Sequence, residues 1–218
     1  MKPWALILGA SSGFGGAVSL ELAKHGYNIF GVHLDRQITI PNVKALIKKI
    51  EHTKQHAVFF NINAADAIKR NEVLDEITER LLGHDKGSIK VLVHSLAFGT
   101  LKPFIAKLQN NCISQAQMEM TLDVMANSLV YWTQGLVFRN LLADGGRIFT
   151  LTSAGSHSVI PSYGAVSAAK AALEAHTSQL AHDLEPMNDT ANAIMAGVTE
   201  NPALQKIPGA KNMIESTT

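Results

Sequence analysis

The 218-residue chain carries 19 Lys+Arg against 18 Asp+Glu, a formal net charge of +1, with 46% hydrophobic and 17% charged residues. That balance describes an ordinary globular domain long enough to bury a core, and it excludes a global field that would recruit nucleic acid or an acidic membrane. Cys112 is the sole cysteine, so an intrachain disulfide framework and a cysteine-rich metal site are excluded and a reducing compartment is favoured.

The chain opens MKPWALILGASSGFGG, which imitates a secretion signal in having one lysine before an apolar run. The run is short and breaks into Gly and Ser, which suits a buried strand followed by a turn. No stretch approaches the ~18 apolar residues of a membrane span, so the expected location is cytoplasmic, without a membrane partner. From there strand and helix alternate. Strands are expected at 4–8, 28–32, 57–60, 89–95, 147–153 and 190–196. Helices are expected at 13–26, 42–53, 69–83, 114–142 and 162–184, with Asp144-Gly145-Gly146 as the stop of the fourth and Pro186 beyond the fifth. His52 and His56 have the spacing of a helical metal pair but lie at a polar helix end, and no metal site is expected. This alternation predicts an α/β fold, a single doubly wound domain whose parallel sheet is covered by helices on both faces. Such sheets bind ligands beyond the carboxyl ends of their strands.

The first such position is occupied by GASSGFG, with Gly9, Gly13 and Gly15 between the first strand and the first helix. Glycines there allow a tight turn and close approach of a phosphate, toward which the helix directs its N-terminal N–H groups. Further along, Tyr163 and Lys170 are seven residues apart in an alanine-rich helical stretch. Seven residues are about two turns, so both side chains are expected to leave on nearly one face.

Taken together, LGASSGFGGA, the serine after the fifth strand (Ser153) and the Tyr163/Lys170 pair resemble the short-chain dehydrogenase/reductase family, and the resemblance runs along essentially the whole chain. It implies a Rossmann-type fold, catalytic roles for Ser153, Tyr163 and Lys170, and a dinucleotide held by Gly9, Ser11, Ser12, Gly13, Phe14 and Gly15. It further implies cofactor contacts from Asn61 and Ile62 after the third strand and from Ser95, Leu96 and Ala97 after the fourth. Lys170 is implied on the nicotinamide ribose, and Gly197 and Thr199 in the loop after the sixth strand. In the family Lys170 would also lower the pKa of Tyr163. Packing of the 114–142 and 162–184 helices across subunits, into a homotetramer or homodimer, is implied too.

Three departures sharpen the resemblance. Most members place the lysine four residues after the tyrosine, but position 167 is Ser and the spacing here is Tyr-x6-Lys. HSLAF (94–98) and the 121–133 helix are similar to the enoyl-acyl-carrier-protein reductase branch, and the usual helix asparagine of carbonyl-reducing members falls at Met125. All three imply an enoyl reductase of fatty-acid synthesis, whose substrate is a 2-enoyl thioester, possibly on acyl carrier protein. Ser153 and the ordinary glycine spacing resemble carbonyl reductases, so reduction of a 3-oxoacyl thioester or small ketone stays open, as does a non-catalytic NADP-binding regulator. At the end of the second strand His33 stands where an Asp would select NAD. His33 and Arg36 are expected to face a 2′-phosphate, which favours NADPH unless Asp35 points inward. Relatives continue past the equivalent of Thr218, so the C-terminal lid and last strand of the domain are expected to be missing from the 1–218 chain.

Overall fold

The central strands of this protein are buried on both faces, and that dictates the layering. In β1 (Lys2–Leu8), Trp4, Leu6 and Leu8 point to one side while Ala5 and Ile7 point to the other, and all five are fully buried. The computed structural model describes residues 2–83 and 85–197. Five further strands follow, β2 (Asn28–His33), β3 (Ala57–Asn61), β4 (Gly87–His94), β5 (Leu142–Thr152) and β6 (Thr190–Met195). They form one wholly parallel sheet in the order β3-β2-β1-β4-β5-β6. Helices α1 (Gly13–Lys24) and α2 (Ile40–Glu51) cover one face, where Ala23 and Ile50 meet Ala5, Ile7, Ile29 and Val93. Helices α3 (Ala67–Leu82), α5 (Ser128–Phe138) and α6 (Gly164–Leu184) cover the other through Leu74, Ile77, Trp132, Leu136 and Leu173. Trp4 stacks on Phe30 at 4.0 Å between centroids, and the Trp132 indole donates to the Ala64 carbonyl at 2.9 Å.

The order reverses direction between β1 and β4, which opens a crevice at their carboxyl ends. Register makes the crevice level. Leu8 pairs with Val32 on one side and with His94 on the other, so the residues that leave the sheet together are Gly9, His33 and Ser95.

The expected elements are present with one correction. The 114–142 segment is not a continuous helix. It comprises α4 (Gln115–Leu122), a π-helical turn at Asp123–Asn127, and α5, which ends at Phe138. The π turn sits between two residues whose hydroxyls bond back to the helix, Thr121 to the Gln117 carbonyl at 2.7 Å and Ser128 to the Val124 carbonyl at 2.9 Å. The stop is Asn140, at φ 54°, rather than the Asp144-Gly145-Gly146 stretch, which lies inside β5. Among the described residues no helix is long and apolar enough to cross a membrane.

Replacing Trp132 by Phe keeps a ring in the core but removes the donor to Ala64 and leaves space. The expected loss is about 1–3 kcal/mol, read as a lower denaturant midpoint with an unchanged slope.

Candidate active site

The turn after β1 is shaped by glycine at two positions. Gly9 has φ 89°, and a Cβ there would lie 2.4 Å from the Ser95 carbonyl oxygen. A Cβ on Gly15 would lie 2.1 Å from the carbonyl oxygen of Gly9. The turn therefore folds flat against the end of β4 and starts α1 without any side chain filling the space above it. Ser12 at the N-cap makes no side-chain bond to the helix, so the first-turn N–H groups face the crevice without a side-chain acceptor. A diphosphate fits this arrangement, with donors and the positive end of the helix dipole aimed at it.

The crevice gathers most of the residues expected to hold a dinucleotide. Its walls are Gly9, Ser11, Ser12, Gly13 and Phe14 from the turn, His33 from the end of β2, Ile62 from beyond β3, and Ser95, Leu96 and Ala97 from beyond β4. Val32, Leu34, Asn63, Ala64, Phe98 and Val124 complete it. Asn61 does not line it. Its amide exchanges two hydrogen bonds with the Asp35 backbone, at 2.9 and 3.0 Å, tying the ends of β2 and β3 together. Arg36 is exposed and outside the walls. Gly197 follows β6 as the last described residue, and Thr199 lies outside the described residues.

Asp35 turns inward. Its carboxylate is 2.9 Å from His33 Nδ1, and its side chain is largely covered. Partial burial pushes the carboxyl up, but bonds from the Ser11 and Thr39 hydroxyls and from His33 outweigh burial and hold it below the usual carboxylate range. A fixed negative charge therefore sits against the glycine turn where a positive one was expected.

Tyr163 occupies the N-cap of α6 and Lys170 its second turn, and both are buried. Burial pushes the Tyr163 phenol above its ordinary value, and the hydrogen bond with Ser153 works in the opposite direction. The phenol is accordingly a neutral donor at physiological pH. Lys170 does not act on it as expected. Its Nζ donates to the Leu151 carbonyl at 2.5 Å and lies 3.5 Å from that of Leu96, under the floor of the crevice. Burial lowers the amine to about 8, against a partial restoring pull from Glu174. Met125, 2% exposed, packs in the apolar cluster that contains Tyr163, Val166 and Ala169. His94 is fully buried, with Nε2 2.9 Å from the Ser128 hydroxyl. Desolvation and the nearby Lys170 charge push the imidazole down to about 3, so it stays neutral. Among the described residues, no group of three or more His, Cys, Asp or Glu is placed to hold a metal ion.

Residues 9–218 match a family model described as enoyl-(acyl carrier protein) reductase. The chain belongs to the short-chain dehydrogenase/reductase family. These are nicotinamide-dinucleotide-dependent oxidoreductases. The chain is 31% identical to an enoyl-acyl-carrier-protein reductase (NADH) of Aquifex aeolicus over 69% of its own length and 56% of that enzyme's. It thus spans little more than half of that relative. It is 26% identical to the L-2,3-butanediol dehydrogenase of Corynebacterium glutamicum over 91% of its length and 72% of that chain. A dehydrogenase/reductase from Sinorhizobium meliloti has a similar structure, with a TM-score of 0.81 at 25% identity, covering 98% of this chain and 79% of that one.

The buried Lys170 sets a pH dependence. Folding lowers its pKa from 10.5 to about 8, so between those values the unfolded chain holds a proton that the folded chain does not. Stability therefore rises with pH through that window, and below about pH 8 the charged amine is a full cost. Lys170→Met in ligand-free protein is expected to be more stable at pH 7, by up to about 3 kcal/mol. The gain should shrink to nothing as pH approaches 10.5, as measured by chemical denaturation across pH.

Proposed function

We propose that the protein reduces the carbon–carbon double bond of a 2-enoyl thioester, with the acyl group carried on acyl carrier protein or a similar thiol. The observation that carries this reading is Met125, buried against the Tyr163 cluster where a carbonyl-reducing relative would present a polar amide. With an apolar side chain there, the site is built to hold a neutral phenol rather than to resupply it with protons from the helix behind. The dinucleotide, when bound along the crevice, supplies the hydride. Tyr163, kept protonated by burial, donates a hydrogen bond to the thioester oxygen on which negative charge develops as the β-carbon is reduced. Ser153, near enough to the same phenol to draw its pKa down, orients it. Lys170, its amine on the Leu96 carbonyl under the crevice floor, would hold the nicotinamide ribose once the dinucleotide is bound. Phe98, exposed in the crevice wall, and Phe104, exposed with its ring against Gly164 beside Tyr163, supply an apolar surface suited to an acyl chain.

For the dinucleotide itself, the inward Asp35 supports NADH over the NADPH that His33 and Arg36 had favoured. A carboxylate held below its usual range accepts from a ribose 2′-hydroxyl and repels a 2′-phosphate. A second reading, reduction of a 3-oxoacyl thioester, is supported by Ser153 beside Tyr163 and by the likeness to the butanediol dehydrogenase. There Tyr163 would deliver its proton as a general acid.

Loss of nicotinamide absorbance, followed with a 2-enoyl and a 3-oxoacyl thioester in parallel and with each dinucleotide, separates these readings. The expected result is turnover of the enoyl substrate with NADH, reduced by roughly 100-fold or more in Tyr163→Phe. Turnover of the oxo substrate alone would overturn the enoyl reading. Asp35→Asn is expected to narrow the preference for NADH by about tenfold, measured as the ratio of kcat/KM for the two dinucleotides.

A further inference from the structure

Glu174 lies on α6 one turn beyond Lys170 and gathers three residues of the segment that carries Ser153. The Thr152 hydroxyl donates to its Oε1. The Ser156 hydroxyl is 2.7 Å from the same oxygen and 2.8 Å from the Ser153 carbonyl, sharing one proton between them. His157 Nε2 is 3.0 Å from Oε2. The intervening backbone forms a tight turn, closed by Ser156 N–H to the Ser153 carbonyl at 3.0 Å and His157 N–H to the Ala154 carbonyl at 3.1 Å. Within it, Gly155 N–H donates to Ser153 Oγ at 3.1 Å. The Tyr163 ring lies over this turn, since a Cβ on Gly155 would be 2.6 Å from the ring's Cε1.

We infer that Glu174 is a positioning residue for the reaction: its carboxylate clamps the 152–157 turn onto α6 and thereby sets the distance between the Ser153 hydroxyl and the Tyr163 phenol. Ser153 leaves from a strand end and Tyr163 from a helix start, and residues 154–162 between them are a short turn and loop with little regular structure. Without the clamp, the relative placement of two groups that must act on one oxygen would depend on that loop. With it, both are referred to the same helix. Burial alone would push the Glu174 carboxyl up, but the bonds from Thr152 and Ser156 and the charge of His157 hold it below the usual range, so the acceptor stays ionised at neutral pH. The same charge acts on Lys170 and favours its protonated form. One carboxylate thus addresses all three members of the Ser153, Tyr163 and Lys170 set without touching substrate.

The inference rests on the assignment of Ser153 and Tyr163 to the reaction, and its test has an arm that needs no substrate. In Glu174→Ala, amide exchange at 154–157 is expected to quicken at least tenfold while α6 keeps its protection. The kcat for whichever thioester the protein consumes should fall roughly 10- to 100-fold, because placement is lost. Glu174→Gln keeps an acceptor oxygen for Thr152 and Ser156 and should return both readouts to within about threefold of the parent. Should Glu174→Ala fail to fold, the double variant Thr152→Val/Ser156→Ala removes the two donors from the other side and should give the same pair of changes. Unchanged exchange in the turn, or a loosened turn with unchanged kcat, would overturn the inference. If neither thioester is consumed by the parent protein, the proposed function fails, while the exchange arm alone still decides whether the clamp exists.

Discussion

A protonated amine held inside the protein is the constraint around which the rest is arranged. Lys170 has little water, two backbone carbonyls for partners, and a carboxylate one helical turn away. Burying an ammonium on those terms is costly, and a fold tolerates it only when the surrounding core is strong enough to absorb the loss. Here the sheet supplies that strength, since Trp4, Phe30 and Trp132 are packed without exposure and the central strands are apolar on both faces. The cost is incurred where the chain has most reason to bear it, beneath the crevice at the carboxyl ends of β1 and β4.

The crevice in turn follows from strand order and register. Placing β4 beside β1, and β2 on its other side, leaves the first connection running one way and the third the other, so no helix covers the gap between them. Paired residues then leave the sheet at one height, which brings Gly9, His33 and Ser95 to a common rim although they are distant in sequence. Glycine at position 9 is what lets the rim close, because any side chain there would meet the backbone of β4.

Much of this was legible from the residues alone. The six strands announced themselves by short apolar runs, and the glycine turn by its place between a strand and a helix. What escaped the reading depended on contacts that periodicity does not encode. A π turn inserts residues into a helical pattern without changing its composition, so residues 114–142 read as one helix. Asn140 could end α5 because Asn tolerates positive φ, a weaker signal than the two glycines that drew attention downstream. Asp35 and Arg36 are adjacent in sequence, and it is the 2.9 Å contact of the Asp35 carboxylate with His33, which periodicity does not encode, that marks which of them turns inward. Spacing put Tyr163 and Lys170 on one helical face, but it carried no sign that the tyrosine caps the helix or that the lysine donates to a carbonyl at the end of β5. Glu174 gave no signal, being one acidic residue in a helix with other polar groups.

The account's central claim is that the Ser153, Tyr163 and Lys170 set faces one dinucleotide lying across the glycine turn. A crystal structure of the protein with NADH tests it most directly. The predicted result places the diphosphate over Gly9–Gly15, the nicotinamide end beside Tyr163, and the Lys170 amine within hydrogen-bonding distance of the adjacent ribose. A dinucleotide bound outside this crevice, or lying in it with its nicotinamide directed away from Tyr163, would contradict the account.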